Sequence, residues 1–145
     1  MTITVGILAA QKRLGPYSLT YAGRATSSGA VSSLSGSFNL GTAYSDRIVF
    51  IGISRAYTAS ASTTSVTVGA KAGTRIGGIN TVGLEEWWYV ASDVGESGVT
   101  IQANFPDAYN SCFVVYVLGG GALGGTTPTL EFMSDYRNNT NNWLS

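Results

Sequence analysis

Histidine is absent from this 145-residue chain. Its absence removes the Ser-His-Asp and Cys-His catalytic arrangements, the commonest zinc ligand and the usual general base near neutral pH. A single cysteine, Cys112, excludes an intramolecular disulfide framework. It lies within an apolar stretch with no imidazole to lower its pKa, so it reads as an inert core thiol rather than a nucleophile. Charge is scarce, at 11% of residues against ~25% in an average soluble domain. The eight basic and eight acidic residues cancel, and neither sign forms a run. A nucleic-acid binder presents a basic stripe, and the one adjacent basic pair here, Lys12-Arg13, reads as a solvated turn. No nucleic-acid partner is expected. Nor is a membrane partner, because no segment approaches the ~18–20 apolar residues of a span. The first ten residues lack a basic start before their short apolar run, so they do not read as a signal peptide and the chain is expected to act without export.

Helical periodicity is missing as well. Apolar residues never recur at helical spacing over ten residues, and the 19 glycines, with many β-branched residues, disfavour helices. In place of charge the chain carries Gly, Ser, Thr, Ala and Asn, with eight Tyr and three Trp. Small uncharged polar residues suit strands whose outer faces meet other protein. The length fits one domain.

Two stretches organise the rest. Ser111 to Leu118 is apolar on both alternate sets: Cys112, Val114, Tyr116 and Leu118 on one side, Phe113, Val115 and Val117 on the other. Arg47 to Ile53 has the same character. Strands apolar on both faces belong inside a sheet with cover on each side. Around them lie weaker segments. Met1 to Ala10 is an edge strand or arm, and Tyr17-Leu19-Tyr21 reads as a half-buried strand. Gly23 to Gly36 reads as a flexible loop, or as a weak strand near Val31–Leu34. Phe38 and Leu40 face one way in a short extended piece. Ser65–Val68 and Thr74–Ile76 read as a hairpin turning at Gly69 to Gly73. Leu84–Ala91 and Val99–Phe105 read as a second hairpin, closed by Pro106. Short strands at this spacing predict an all-β fold, an antiparallel β-sandwich of jelly-roll or Ig-like type with extended N- and C-terminal arms. Residues 1–129 form the sandwich with its N-terminal strand or arm, and residues 130–145 a C-terminal docking arm.

Few motifs carry chemistry. Gly119 to Gly124 formally matches G-x-G-x-x-G, but Thr126-Thr127-Pro128 follows where a helix should start, so it reads as a loop. Glu85 and Glu86 are adjacent and point to opposite faces of a strand, so they cannot act as a pair. Asp93 and Glu96 share one turn and offer oxygen ligands to Ca²⁺, although turn chemistry accounts for them. Asn138-Asn139-Thr140 is a glycosylation sequon by pattern alone. Along their strand, Trp87 and Tyr89 share a face while Trp88 takes the other. One set therefore belongs to the core, and the other to an interface or a sugar-binding platform. No catalytic, cofactor or metal residue is expected. Phe132, Met133, Trp143 and Leu144 flank an Asn-rich link and form the expected partner interface, since a buried Trp is a typical interface anchor.

The order of segments from Asp46 to Gly120 resembles small β-sandwich virion proteins of tailed bacteriophages and their prophage relatives. The resemblance is carried by Asp-Arg-Ile-Val-Phe-Ile-Gly-Ile, then Ser-Val-Thr-Val-Gly with its returning Thr-Arg-Ile, and then Glu-Trp-Trp-Tyr-Val-Ala. Gly-Val-Thr-Ile-Gln-Ala-Asn-Phe and Cys-Phe-Val-Val-Tyr-Val-Leu-Gly-Gly complete it. These are hydrophobic patterns with no active residues to carry over. The resemblance implies a non-enzymatic virion structural protein, homo-oligomeric or bound to the major capsid protein or other virion subunits. Within that class a capsid decoration (cement) protein on the outer head surface is preferred. A tail- or fibre-associated component, or a glycan-binding adhesin module, is the alternative.

Overall fold

The computed structural model describes residues 18–43, 47–56, 62–80, 84–91 and 95–119. They form nine strands and, among the described residues, no helix: β1 (Ser18–Thr26), β2 (Val31–Phe38), β3 (Ile48–Arg55), β4 (Ser65–Val68), β5 (Lys71–Ala72), β6 (Thr74–Asn80), β7 (Leu84–Ala91), β8 (Val99–Tyr109) and β9 (Ser111–Gly119). One sheet has five strands in the order β1-β9-β3-β7-β6, and the other four in the order β2-β8-β4-β5. All pairings are antiparallel.

The antiparallel β-sandwich predicted from the sequence is therefore present, and its strand order decides between the two types. β1 pairs with β9, β2 with β8, β3 with β7 and β4 with β5. These nested pairs alternate between the two sheets, the pattern of one long antiparallel ribbon rolled into a jelly roll. β6 is an extra edge strand on β7.

The two strongest apolar stretches are neighbours at the centre of the larger sheet. β3 and β9 pair from Ile48↔Leu118 to Arg55↔Ser111, with β1 and β7 outside them. Their inward set, Val49, Ile51, Ile53, Phe113, Val115 and Val117, packs with Trp88 and Val90 against Phe38, Val66, Val68, Val99, Ile101, Ala103 and Phe105 of the smaller sheet.

Both expected hairpins are wrong, for one reason. β7 pairs with β3 and β6, whereas β8 pairs with β2 and β4 in the other sheet. Each strand has a buried inner face, and a roll gives these faces cover by sending the chain across the core, where a hairpin would keep both in one sheet. Likewise β4 turns at Gly69 (φ 56°) and Ala70 into the short β5, and β6 then crosses to the larger sheet. Pro106 does not close β8, which runs on to Tyr109. It sits in an irregularity where Phe105 to Ala108 stand opposite Ser32 alone, a site where a missing N–H is tolerated. The loop reading of Gly23 to Gly36 gives way to the end of β1 and most of β2. Leu19 and Tyr21 do lie in a strand, but it is an edge strand and they stand on its outward side, 50% and 54% exposed, where the pattern suggested a covered face; Tyr17 lies outside the described residues. Met1–Ala10 and residues 130–145, the two expected arms, lie outside the described residues.

Candidate interaction surface

The outward face of the five-stranded sheet is the chemically distinctive part of the molecule. Its register can be read across the strands row by row. One row is Leu19, Leu118, Ile48 and Ala91; the next is Tyr21, Tyr116, Phe50 and Tyr89; the third is Arg24, Val114, Gly52 and Trp87; the last is Thr26, Cys112, Ser54 and Glu85. Alternation along β7 and β9 places every second residue here, which is why strands apolar on both sides were needed at the centre.

The second and third rows form an aromatic patch. The rings of Tyr21 and Tyr116 lie 5.4 Å apart at 54°, and those of Tyr116 and Trp87 lie 6.4 Å apart at 37°. These are tilted contacts within the distance range favoured by aromatic pairs. Ile48, Phe50 and Leu118 are buried, with Ile76, Trp87, Tyr89 and Tyr116 packed against them. At the β1 edge the cover ends: Leu19 is 50% and Tyr21 54% exposed. Trp87 and Tyr89 thus share the outward face and Trp88 is core, as alternation requires.

Cys112 lies at the polar end of this face, half-buried rather than in the core. Burial pushes its thiol pKa up, opposed by a hydrogen bond with the Ser54 backbone and by the charge of Arg24, while Glu85 adds to the rise. A protonated thiol is a poor nucleophile.

Three charged side chains to which the sequence assigned no structural role, Arg47, Arg55 and Glu86, are buried. Arg47 closes one end of the roll, donating from Nη1 to the carbonyls of Gly41 (2.9 Å) and Thr42 (3.3 Å) and from Nη2 to that of Gly95 (2.8 Å). Arg55 closes the other, donating from Nη2 to Asp107 Oδ1 (2.6 Å) and stacking 4.4 Å from the Phe105 ring centroid. The β8 irregularity around Pro106 is what wraps Asp107 and Tyr109 around this guanidinium. Glu86, on the inward face of β7, accepts from Arg75 Nε and from the Thr63 backbone N–H, each at 2.8 Å. The signal for Glu86 was its alternation with Trp88 and Val90; the two arginines carried no local signal.

Glu85 and Glu86 do point to opposite faces. Glu96 is exposed and accepts from the Ala43 N–H through Oε1 at 3.3 Å, whereas its expected companion Asp93 lies outside the described residues. Among the described residues no three His, Cys, Asp or Glu side chains gather at a metal-binding spacing. Phe132, Met133, Trp143 and Leu144, the expected partner interface, lie outside the described residues, as do Gly120 to Gly124.

No protein-family model, curated protein or solved structure matches this chain. Its function has to be argued from its own residues.

Proposed function

We propose that this protein is a non-enzymatic structural subunit of a bacteriophage virion, a decoration (cement) protein bound to the outer surface of the head through protein–protein contacts. The observation that carries the reading is the outward face of the five-stranded sheet, aromatic and apolar across β1, β9, β3 and β7 and half exposed along β1. Fully exposed sheet faces normally alternate to polar residues, and a contiguous apolar patch on a weakly charged chain marks a surface that meets protein. The partners in this reading are the major capsid protein or other virion subunits, and further copies of the chain. A tail or fibre location is the near alternative.

The fold leaves this open. Jelly rolls serve both viral capsid and lectin domains, and function resides in sites rather than in folds. The assembly reading is favoured because Tyr116, Trp87 and Tyr89 pack over Ile48, Phe50 and Leu118, tying the rings into the sheet rather than presenting them as free stacking planes. Leu19→Glu tests it. The position is half exposed, so the variant should fold normally while its occupancy on purified particles falls at least tenfold. Wild-type occupancy would remove this face from the interface.

A further inference from the structure

The larger sheet ends at β1, and among the described residues no strand pairs with its outer side. In an antiparallel ladder alternate residues turn both N–H and C=O to the same neighbour. The residues of β1 that do not bond to β9 therefore hold out a row of donors and acceptors, which is a template for another strand. Ser18 to Tyr21 is the open part of this edge. All of its residues are exposed, on both sides of the strand. On the inward side an open groove of about 550 Å³, lined by Thr20, Leu40 and Val117, separates the strand from the segment after β2. Beyond Tyr21 the register shifts, and Ala22 and Ala25 pack against the core.

Sheet edges are normally blunted by charge, by brevity or by irregularity. β5 is two residues long and carries Lys71, and β6 carries Arg75 and slips in register before Gly77. β2 places serines at its exposed positions. Ser18–Tyr21 has none of these devices, and its outward residues Leu19 and Tyr21 are the exposed large hydrophobics among the described residues. Thr20 stands between them. A two-fold axis through Thr20 lays Leu19 of one copy beside Tyr21 of the other, twice, on the outward side. It also sets Thr20 opposite its own counterpart on the inward side. Aromatic–aliphatic and Thr–Thr partners are both favourable cross-strand pairs. Arg24, the first charge on the strand, lies beyond the register shift, so the two arginines fall at opposite ends of the pairing and do not meet.

We propose that two copies of this chain pair antiparallel along Ser18–Tyr21. Their five-stranded sheets then join into one continuous sheet of ten strands, five from each copy, with the two aromatic faces side by side. The partner is one that the assembly reading names, a further copy of the chain, but the pairing stands on the edge alone. Copies that fail to pair leave the outward face to a capsid partner, and copies that pair do so without any particle.

Thr20→Cys in a Cys112→Ser background tests the pairing. Directly opposed antiparallel residues have Cα atoms about 4.5–5.5 Å apart, inside the range of about 4.4–6.8 Å that a disulfide spans. Oxidation should convert this variant to a cross-linked dimer at least tenfold faster than Ser35→Cys in the same background, an exposed position on the other sheet. Thr20→Lys sets like charges opposite each other without altering the outward face. In sedimentation equilibrium it should associate at least tenfold more weakly than wild type, with its circular dichroism spectrum unchanged. Hydrogen exchange of the Ser18–Tyr21 amides should slow as the wild-type concentration rises. Cross-linking no faster than the Ser35→Cys control, or equal association of Thr20→Lys and wild type, would overturn the proposal. So would protection of these amides that is the same at every concentration, because the chain's own residues would then cover the edge.

Discussion

Gly52 lies beneath the indole of Trp87. A Cβ at position 52 would stand 2.8 Å from Trp87 Cη2 and 3.0 Å from Cζ2 and Cζ3, in the row where the two residues are direct cross-strand partners. The glycine is what lets the ring lie flat on β3 and reach Tyr116. In Gly52→Ala the ring must lift, and the expected cost is about 1–2 kcal/mol, in the range of mild overpacking. Tryptophan fluorescence should change with it. An unchanged spectrum and midpoint would mean that the ring does not rest there.

The Arg75–Glu86 pair should be unequal under mutation. Glu86 is fully buried, whereas the Arg75 side chain is 42% exposed. Removing Arg75 strands a buried carboxylate, at a cost of about 3–5 kcal/mol. Removing the charge of Glu86 leaves an arginine that water can reach and one acceptor for the Thr63 N–H, and costs about 1–3 kcal/mol. Urea denaturation of Arg75→Ala and Glu86→Gln should therefore rank the arginine variant as the less stable. The reverse order would contradict the burial described here.

Val115 sits fully buried on the inward face of β9, between Gly23 and Ile51 in register. Val115→Asp places an unpaired charge there and should destabilise by several kcal/mol (about 3–5). Thermal melting checks it, with an unchanged transition as the contrary result.

How much of this was legible follows from which forces act locally. Val115, Ile51 and their neighbours declared a central strand because two-sided burial leaves a continuous apolar run. The split of Trp87 from Trp88 followed from the pleat alone. Which sheet a strand joins is decided by distant partners, so β7 and β8 read as a hairpin although they lie on opposite sides of the core. Arg47 and Arg55 looked like strand ends, because their carbonyl and ring partners are supplied by Gly41, Gly95, Phe105 and Asp107, which are distant in sequence or lie across a turn. The outward aromatic face was visible residue by residue. Its extent became visible only once the register aligned Tyr21, Tyr116, Phe50 and Tyr89.

The Cys112 thiol, its pKa raised by burial, should react slowly with a maleimide at pH 7 compared with a cysteine in a short peptide. Because the shift is upward, the thiolate fraction grows only as pH climbs past the ordinary cysteine range of about 8.5, so the labelling rate should rise steeply in alkaline buffer. The same shift lowers stability at alkaline pH, since the unfolded chain loses this proton first. Labelling at the peptide rate at pH 7 would show an open, reactive site.

The role proposed for this chain is that of a structural component of a virion head. Electron cryomicroscopy of bacteriophage particles purified from cells that make this chain tests this most directly. The predicted result is a jelly-roll density on the outer head surface, with the β1–β9–β3–β7 face turned towards a neighbouring subunit. Particles that assemble without this chain, or that carry it with that face towards solvent, would contradict the account.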